Sequence, residues 1–462
     1  MTTRSTTVNG YGLRTPAGWW ECTLKDVCNG NGGVIQTGPF GSQLHAHDYK
    51  ETGTPVVMPQ QLGDNQISVE GIARISDEDV QRLKRHCLRR GDIVFSRRGD
   101  VTRRAFITER EKGWLCGTGC MLIRPHHPKL CNEYLAFFFS LHEVKEYITK
   151  QAVGATMPNL NTGILEAIPL FLPSLTYQQK AVAVLTAYDD LIENNTRRIV
   201  ILEEMAQAIY REWFVNFRFP GHDKVKLINS PLGKIPEGWK TQPIGSTLEF
   251  HIGGGWGQDN VDEEFSNPAF VIRGTDIPDA RSLRVVDCPL RYHTDSNIRT
   301  RKLCPNDLVF EVSGGSKGQP VGRCLFVSER LLKRFDGDVI CASFCKVIRA
   351  NPAILAPEIL YHYLVESYTN GTIEQYEVQS TGIKNFKFTV FLESESLAVP
   401  PAKTQQAFLG HVRPILDAVH AIGKKNEVLR NTRDLLLPKL ISGQLDVEDL
   451  DIDTGEPLVE AP

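Results

Sequence analysis

IENNTRRIVILEEM, residues 192–205, decides how the chain is read. Ile192, Ile199 and Leu202 stand at helical spacing, and Asn195 takes the place where the next apolar residue belongs. Counting outward, Ala181, Leu185, Tyr188, Ile192, Asn195, Ile199, Leu202, Ala206, Ile209 and Trp213 recur at alternating steps of four and three. That is the spacing of a helical seam packed on a second helix. A second copy follows: Phe408, Val412, Ile415, Val419, Ile422, Asn426, Leu429, Arg433, Leu436 and Leu440, again with an asparagine in the seam. Two seams in one chain most economically pair with each other as an antiparallel coiled coil. Asn195 and Asn426 would then fix register at some cost in stability. The alternative is that each seam packs on its own domain. Pro414 and Gly423 interrupt the second seam and Pro438 lies near its end, which predicts a kink or a ragged start.

The seams belong to a longer repeat. PAGW at 16–19 answers to PEGW at 236–239, GDIVF at 91–95 to NDLVF at 306–310, and VTRRAFI at 101–107 to VGRCLFV at 321–327. CGTGCMLIRP at 116–125 answers to CASFCKVIRA at 341–350, and Pro173 with Gln178-Gln179 to Pro400 with Gln405-Gln406. The order is kept while the sequence between anchors diverges, as expected of two copies of one unit that differ most in their loops. Short β-branched runs broken by Gly, Pro, Asp and Asn make the globular parts α+β. The expected organisation is a first domain over 1–174, a helix over 175–216, a linker over 217–235, a second domain over 236–400, a second helix over 401–445, and an acidic, disordered tail over 446–462.

The chain has 462 residues, enough for two or three domains with their own cores. Its eleven cysteines lack the spacing of a secreted disulfide framework, no signal-like segment follows the polar start, and no apolar run is long enough for a membrane span. A reducing cytoplasm is the expected location. The formal charge of −3 conceals an uneven distribution: the tail holds seven acids and no base, so the remainder is at +4. Residues 82–104 carry nine Lys or Arg against two Asp, suited to phosphates or, more plainly, to a solvated face.

None of the usual catalytic signatures is present: no GxxxxGK[ST], HExxH, GxSxG or GxGxxG after a strand. NPAF at 267–270 half resembles the tetrapeptide of amino-methyltransferases, without a glycine-rich cofactor loop upstream. Cys116, Cys120, Cys341 and Cys345 could offer four thiolates to zinc. As residues i and i+4 of a strand they read instead as small core side chains. What remains suits recognition. TGPFGSQL at 37–44 and SGGSKGQP at 313–320 are Gly and Ser loops able to approach phosphates, and SRRGDVTRR at 96–104 adds guanidinium groups. The residues assigned to DNA are Phe40, Ser42, Gln43, Gln60, Gln61, Ser96, Arg97, Arg98, Arg103 and Arg104 in the first unit. In the second they are Trp256, Arg273, Thr275, Ser313, Ser316, Lys317 and Gln319.

The repeat, the seams, TGPFGSQL, GDIVFSRRG, the junction from WFVNFRFPG to PEGW and the closing LLLPKLISGQL together resemble the specificity subunit of type I restriction-modification systems over nearly the whole chain. The resemblance implies two target recognition domains, each reading half of a split double-stranded DNA site, and two long helices pairing antiparallel as a spacer whose length sets the unread gap. It implies a non-catalytic chain that recruits two methyltransferase subunits and restriction subunits. S-adenosylmethionine, ATP and Mg2+ are then expected on those partners, with no cofactor or metal on this chain. Two other readings remain: a reader within a fused methyltransferase or nuclease system, and a coiled-coil scaffold without nucleic acid.

Overall fold

The computed structural model describes residues 6–30, 32–154, 158–284, 288–314, 319–380 and 383–455. The chain divides into two compact units: unit 1 holds residues 1–190 with 430–462, and unit 2 holds residues 191–429.

In unit 1 the strands are β1 (Val34–Thr37), β2 (Thr54–Val57), β3 (Arg74–Ile75), β4 (Ile93–Ser96), β5 (Arg104–Phe106), β6 (Leu115–Cys116) and β7 (Cys120–Arg124). Four form an antiparallel sheet in the order β1-β7-β4-β5, and three form a second sheet, β3-β2-β6, in which β2 and β6 run parallel. The Ile93–Ser96 part of the GDIVFS run is fully buried as β4, with Ile93 opposite Ile123 and Phe106, because β-branched and aromatic side chains fit a pleated face covered on both sides. The first long helix, α1 (Leu175–Tyr210), follows.

Unit 2 repeats this plan with β8 (Leu248–Gly253), β9 (Asn267–Ile272), β10 (Leu290–His293), β11 (Leu308–Glu311), β12 (Cys324–Phe326), β13 (Asp338–Cys341) and β14 (Cys345–Ala350). Its sheets are β8-β14-β11-β12 and β10-β9-β13, again with one parallel pair, β9 with β13. The second long helix is α2 (Ala402–Ile441).

The repeated sequence anchors now have causes. Asp92 grips Arg124 through two bonds of 2.8 and 2.6 Å and caps the preceding turn at the Arg89 N–H; Asp307 does the same to Arg349, at 2.7 and 2.9 Å, and to the Cys304 N–H. Gln178, buried where α1 begins, accepts from the Cys131 N–H and donates to the carbonyls of Lys129 and Pro173. Gln405 makes the same three bonds to Ala356, Ile354 and Pro400. A buried amide with all its groups paired orients a helix where an apolar residue could not.

Every seam position is buried or half-buried. In unit 2, Asn195 donates to Asn426 at 2.9 Å, while the Phe408 ring lies 4.8 Å from that of Phe214, so the helices run antiparallel there. In unit 1, Asp189 meets Arg433 at 2.5 Å and the Tyr177 hydroxyl donates to the Leu440 carbonyl, which is again antiparallel.

Several expectations are corrected. α2 is unbroken through Pro414 and Gly423. Gly423 is a point of close approach: a Cβ there would overlap the Ser282 carbonyl oxygen. α1 ends in a π-helical turn, Arg211–Val215. The segment read as a linker contains a hairpin, Leu227–Ser230 with Gly233–Pro236, which matches the hairpin Thr6–Val8 with Arg14–Pro16 ahead of the first PxGW. The tail is not disordered where it is described. Val447 is buried in the unit 1 core, and Lys180 donates to the carbonyls of Glu448 and Leu450 at 2.6 and 2.8 Å. No helix among the described residues is long and apolar enough to cross a membrane.

Candidate nucleic-acid interface

In unit 1, β1, β2, β4 and β6 all finish at one end of the sheets, where β5 and β7 begin. The loops after them, 38–44, 58–61, 97–103 and 117–119, therefore meet. Backbone bonds tie them: Gly38 N–H to the Cys120 carbonyl, Gly117 N–H to Val57, and Arg97 N–H to Gly119, at 2.9, 2.9 and 2.8 Å. This rim brings together Phe40, Ser42, Gln60, Arg97, Arg98 and Arg103 from distant points in the sequence. Phe40 is 53% exposed, and Ser42, Gln60 and Arg98 are exposed. Arg97 is half-buried with its Nε unpaired, and Arg103 donates to the Gln60 carbonyl at 3.2 Å.

Three assignments in unit 1 do not survive. Arg104 is 0% exposed and donates to Asp64 at 2.7 Å, to Ser140 and to the Thr102 carbonyl, so its guanidinium holds the fold together. Gln61 is 3% exposed. Ser96 is buried and donates to the Arg98 carbonyl at 2.8 Å. Gln43 stays half-buried on the rim, where its Oε1 accepts from the Phe40 N–H and closes its own loop. The basic run 82–104 is also not one patch. Arg97, Arg98 and Arg103 flank the far end of β4, whereas Arg89 and Arg90 precede its start, about 13 Å away along the strand. Arg82 is paired with Asp79.

The equivalent rim of unit 2 collects the loops 254–258, 273–276 and 342–344 with the residues that follow β11. Gly254 N–H donates to the Cys345 carbonyl, Ala342 N–H to Ile272 and Val312 N–H to Phe344, each at 2.9 Å. Trp256 is 40% exposed with the Arg291 guanidinium 4.7 Å over its ring, and Thr275 is exposed. Gln319 is half-buried. Arg273 spends both arms of its fork on Asp276, at 2.9 and 2.8 Å, and Ser313 is buried with its hydroxyl bonded to Asn385 at 2.7 Å. Ser313 is therefore corrected from a base contact to a local support, whereas Arg273 is half-buried at the rim with its guanidinium oriented by Asp276. Ser316 and Lys317 lie outside the described residues.

Sequence reasoning missed Thr118, Asn159, Ser343, Phe344 and Arg291. Thr118 Oγ1 and Asn159 Oδ1 are buried without partners, and Asn159 bridges to Arg98. Phe344 is 55% exposed. The signal for three of them was on the page: the paired Cys-x3-Cys segments recur, yet their cysteines alone drew attention. All four of those cysteines are buried, as the core reading expects, but not on one strand; each pair spans a three-residue turn between two strands. Burial pushes their thiols up, Cys341 to about 12. Among the described residues no group of three or more His, Cys, Asp or Glu could hold a metal ion.

Residues 16–204 match the family profile described as the type I restriction modification DNA specificity domain. Over 95% of this chain and 96% of the relative, the sequence is 24% identical to the type I restriction enzyme MjaIX specificity subunit of Methanocaldococcus jannaschii. Over 30% of this chain and 31% of the relative, it is 28% identical to the HindI specificity subunit of Haemophilus influenzae. Among solved structures, the S subunit of a type I restriction-modification system from M. genitalium covers 94% of this chain and 97% of its own, at 13% identity and a TM-score of 0.47.

Proposed function

We propose that the chain, which is similar over most of its length to specificity subunits of type I restriction-modification systems, is such a subunit, and that each unit reads one half of a split double-stranded DNA target through its rim. The observation that carries this reading is the repetition of one sheet plan with different side chains at the same rim: Phe40, Ser42, Gln60, Arg97, Arg98 and Arg103 in one unit, Trp256, Thr275 and Arg291 in the other. A constant frame with variable loops is what two different readings require. Arg97 and Arg98 supply charge for phosphates and forked donors for guanine, and the Gln60 amide suits adenine. The scaffold reading without nucleic acid has no use for such rims.

In this reading the chain itself does no chemistry. It positions methyltransferase subunits, which carry S-adenosylmethionine and methylate an adenine drawn from the stack, and restriction subunits, which use ATP and Mg2+. The paired helices act as the spacer between the two readings. The test is binding of the assembled complex to its methylated site and to random duplex across a salt series, with sites found by mapping methylated adenines. Arg97→Ala with Arg98→Ala weakens binding and changes only the first half-site. A change in the second half, or binding that ignores both sequence and salt, overturns the reading.

A further inference from the structure

The turn that feeds the central strand is built alike in both units and offers different side chains. Gly117-Thr118-Gly119 joins β6 to β7, and Ala342-Ser343-Phe344 joins β13 to β14. Each turn is wedged. A Cβ on Gly38 would overlap the Gly117 carbonyl oxygen, one on Gly117 would lie 2.7 Å from the Val57 carbonyl oxygen, and one on Gly119 would lie 3.1 Å from the Pro59 ring. In unit 2 a Cβ on Gly254 would overlap the Ala342 carbonyl oxygen. Each turn is also bonded on several sides. Gly117 N–H donates to Val57 and the Gly119 carbonyl accepts from Arg97; Ala342 N–H donates to Ile272 and the Phe344 carbonyl accepts from Val312 and Ser313. Buried cysteines anchor both ends.

So rigid a mount, at the centre of each rim, needs no particular side chain for its own stability. It nevertheless carries Thr118, whose hydroxyl is buried and unpaired, in unit 1, and in unit 2 an exposed Ser343 beside Phe344, a large apolar ring 55% exposed among polar loops. The Thr118 hydroxyl is closed off from solvent, whereas the Ser343 hydroxyl and the Phe344 ring are presented to it. We propose that this turn is the central base-reading element of unit 2, with Ser343 and Phe344 meeting base edges in the DNA major groove. The Ser343 hydroxyl pairs with base donors or acceptors, and the ring packs on a thymine methyl. A turn held from several sides keeps such contacts within the narrow geometry that discrimination needs. The inference rests on the reading of both rims as DNA interfaces.

The experiment uses the complex of the chain with its methyltransferase subunit and a pool of random-sequence duplexes, from which the wild type selects its target. Phe344→Ala should lower affinity for the selected duplex roughly tenfold or more, leave affinity for random duplex and its salt slope unchanged, and relax only the second half on reselection. Thr118→Val, in the equivalent turn of the first unit, should leave the second half intact. An unchanged target for Phe344→Ala, or random-duplex affinity falling in step with target affinity, overturns the assignment of the turn. A wild-type complex that selects no sequence at all overturns the underlying reading instead.

Discussion

At the scale of the residue, tertiary environment separates side chains that look interchangeable in sequence. Arg98 and Arg104 stand six positions apart in one basic run. Arg98 is exposed at the rim, whereas Arg104 opens β5 and is enclosed between Asp64, Ser140 and the Thr102 carbonyl. Arg104→Ala should therefore destabilise the protein by about 2–3 kcal/mol, because it empties a fully buried side-chain site and takes a partner from the half-buried Ser140 hydroxyl and Thr102 carbonyl. Arg98→Ala should stay within about 0.5 kcal/mol and act on DNA affinity alone. Urea unfolding of both variants beside DNA binding separates the two roles; equal stability would remove Arg104 from the framework.

At the scale of the element, the seam asparagines form a closed polar layer within unit 2. Asn195 donates to Asn426, and Asn426 donates to the Ile192 carbonyl and the Thr196 hydroxyl at 3.2 Å each. Asn426→Leu alone strands the Asn195 amide and should cost about 1–3 kcal/mol, whereas pairing it with Asn195→Leu should restore or raise stability. A double-mutant cycle measures the coupling, and additive losses would mean the amides do not act together. The two glycines of α2 give opposite signs. Gly410 has open space around its Cβ position, so Gly410→Ala should stabilise by about 0.5–1 kcal/mol. Gly423→Ala should destabilise despite the same gain in helix propensity, since the Ser282 carbonyl must move. Thermal unfolding of the pair checks the signs, and stabilisation by both would show that Ser282 yields freely.

At the scale of the whole molecule, the two long helices each belong in part to both units: α1 passes the unit boundary after Asp190 and α2 after Leu429. If the pair is the spacer, four residues inserted beside Asn195 add about 6 Å of helix and should lengthen the unread gap by one or two base pairs, at about 3.4 Å each. Both half-sites should persist, because neither rim is touched, while the broken seam phase lowers stability. Methylated-adenine mapping in cells carrying the insertion reads gap and half-sites together. A changed half-site at the old spacing would show that the helices are not the ruler.

The repeat, the strands, both long helices and their seams were legible in the sequence, because hydrophobic period and recurrent anchors are local patterns that packing reinforces. The seam needed only counting, and all twenty of its positions are buried or half-buried. What the rims present was not legible, since whether a polar side chain is free depends on partners far away in the chain. Arg273 is occupied by a neighbour three residues on, Arg104 by Asp64 forty residues back, and Ser313 by Asn385 seventy-two residues ahead. Gly423 read as a helix breaker because its reason, the Ser282 carbonyl, lies 141 residues away. Period and repetition belong to the sequence itself; which atoms remain unsatisfied, and so available to a ligand, is settled only when distant segments meet and use up each other's hydrogen bonds.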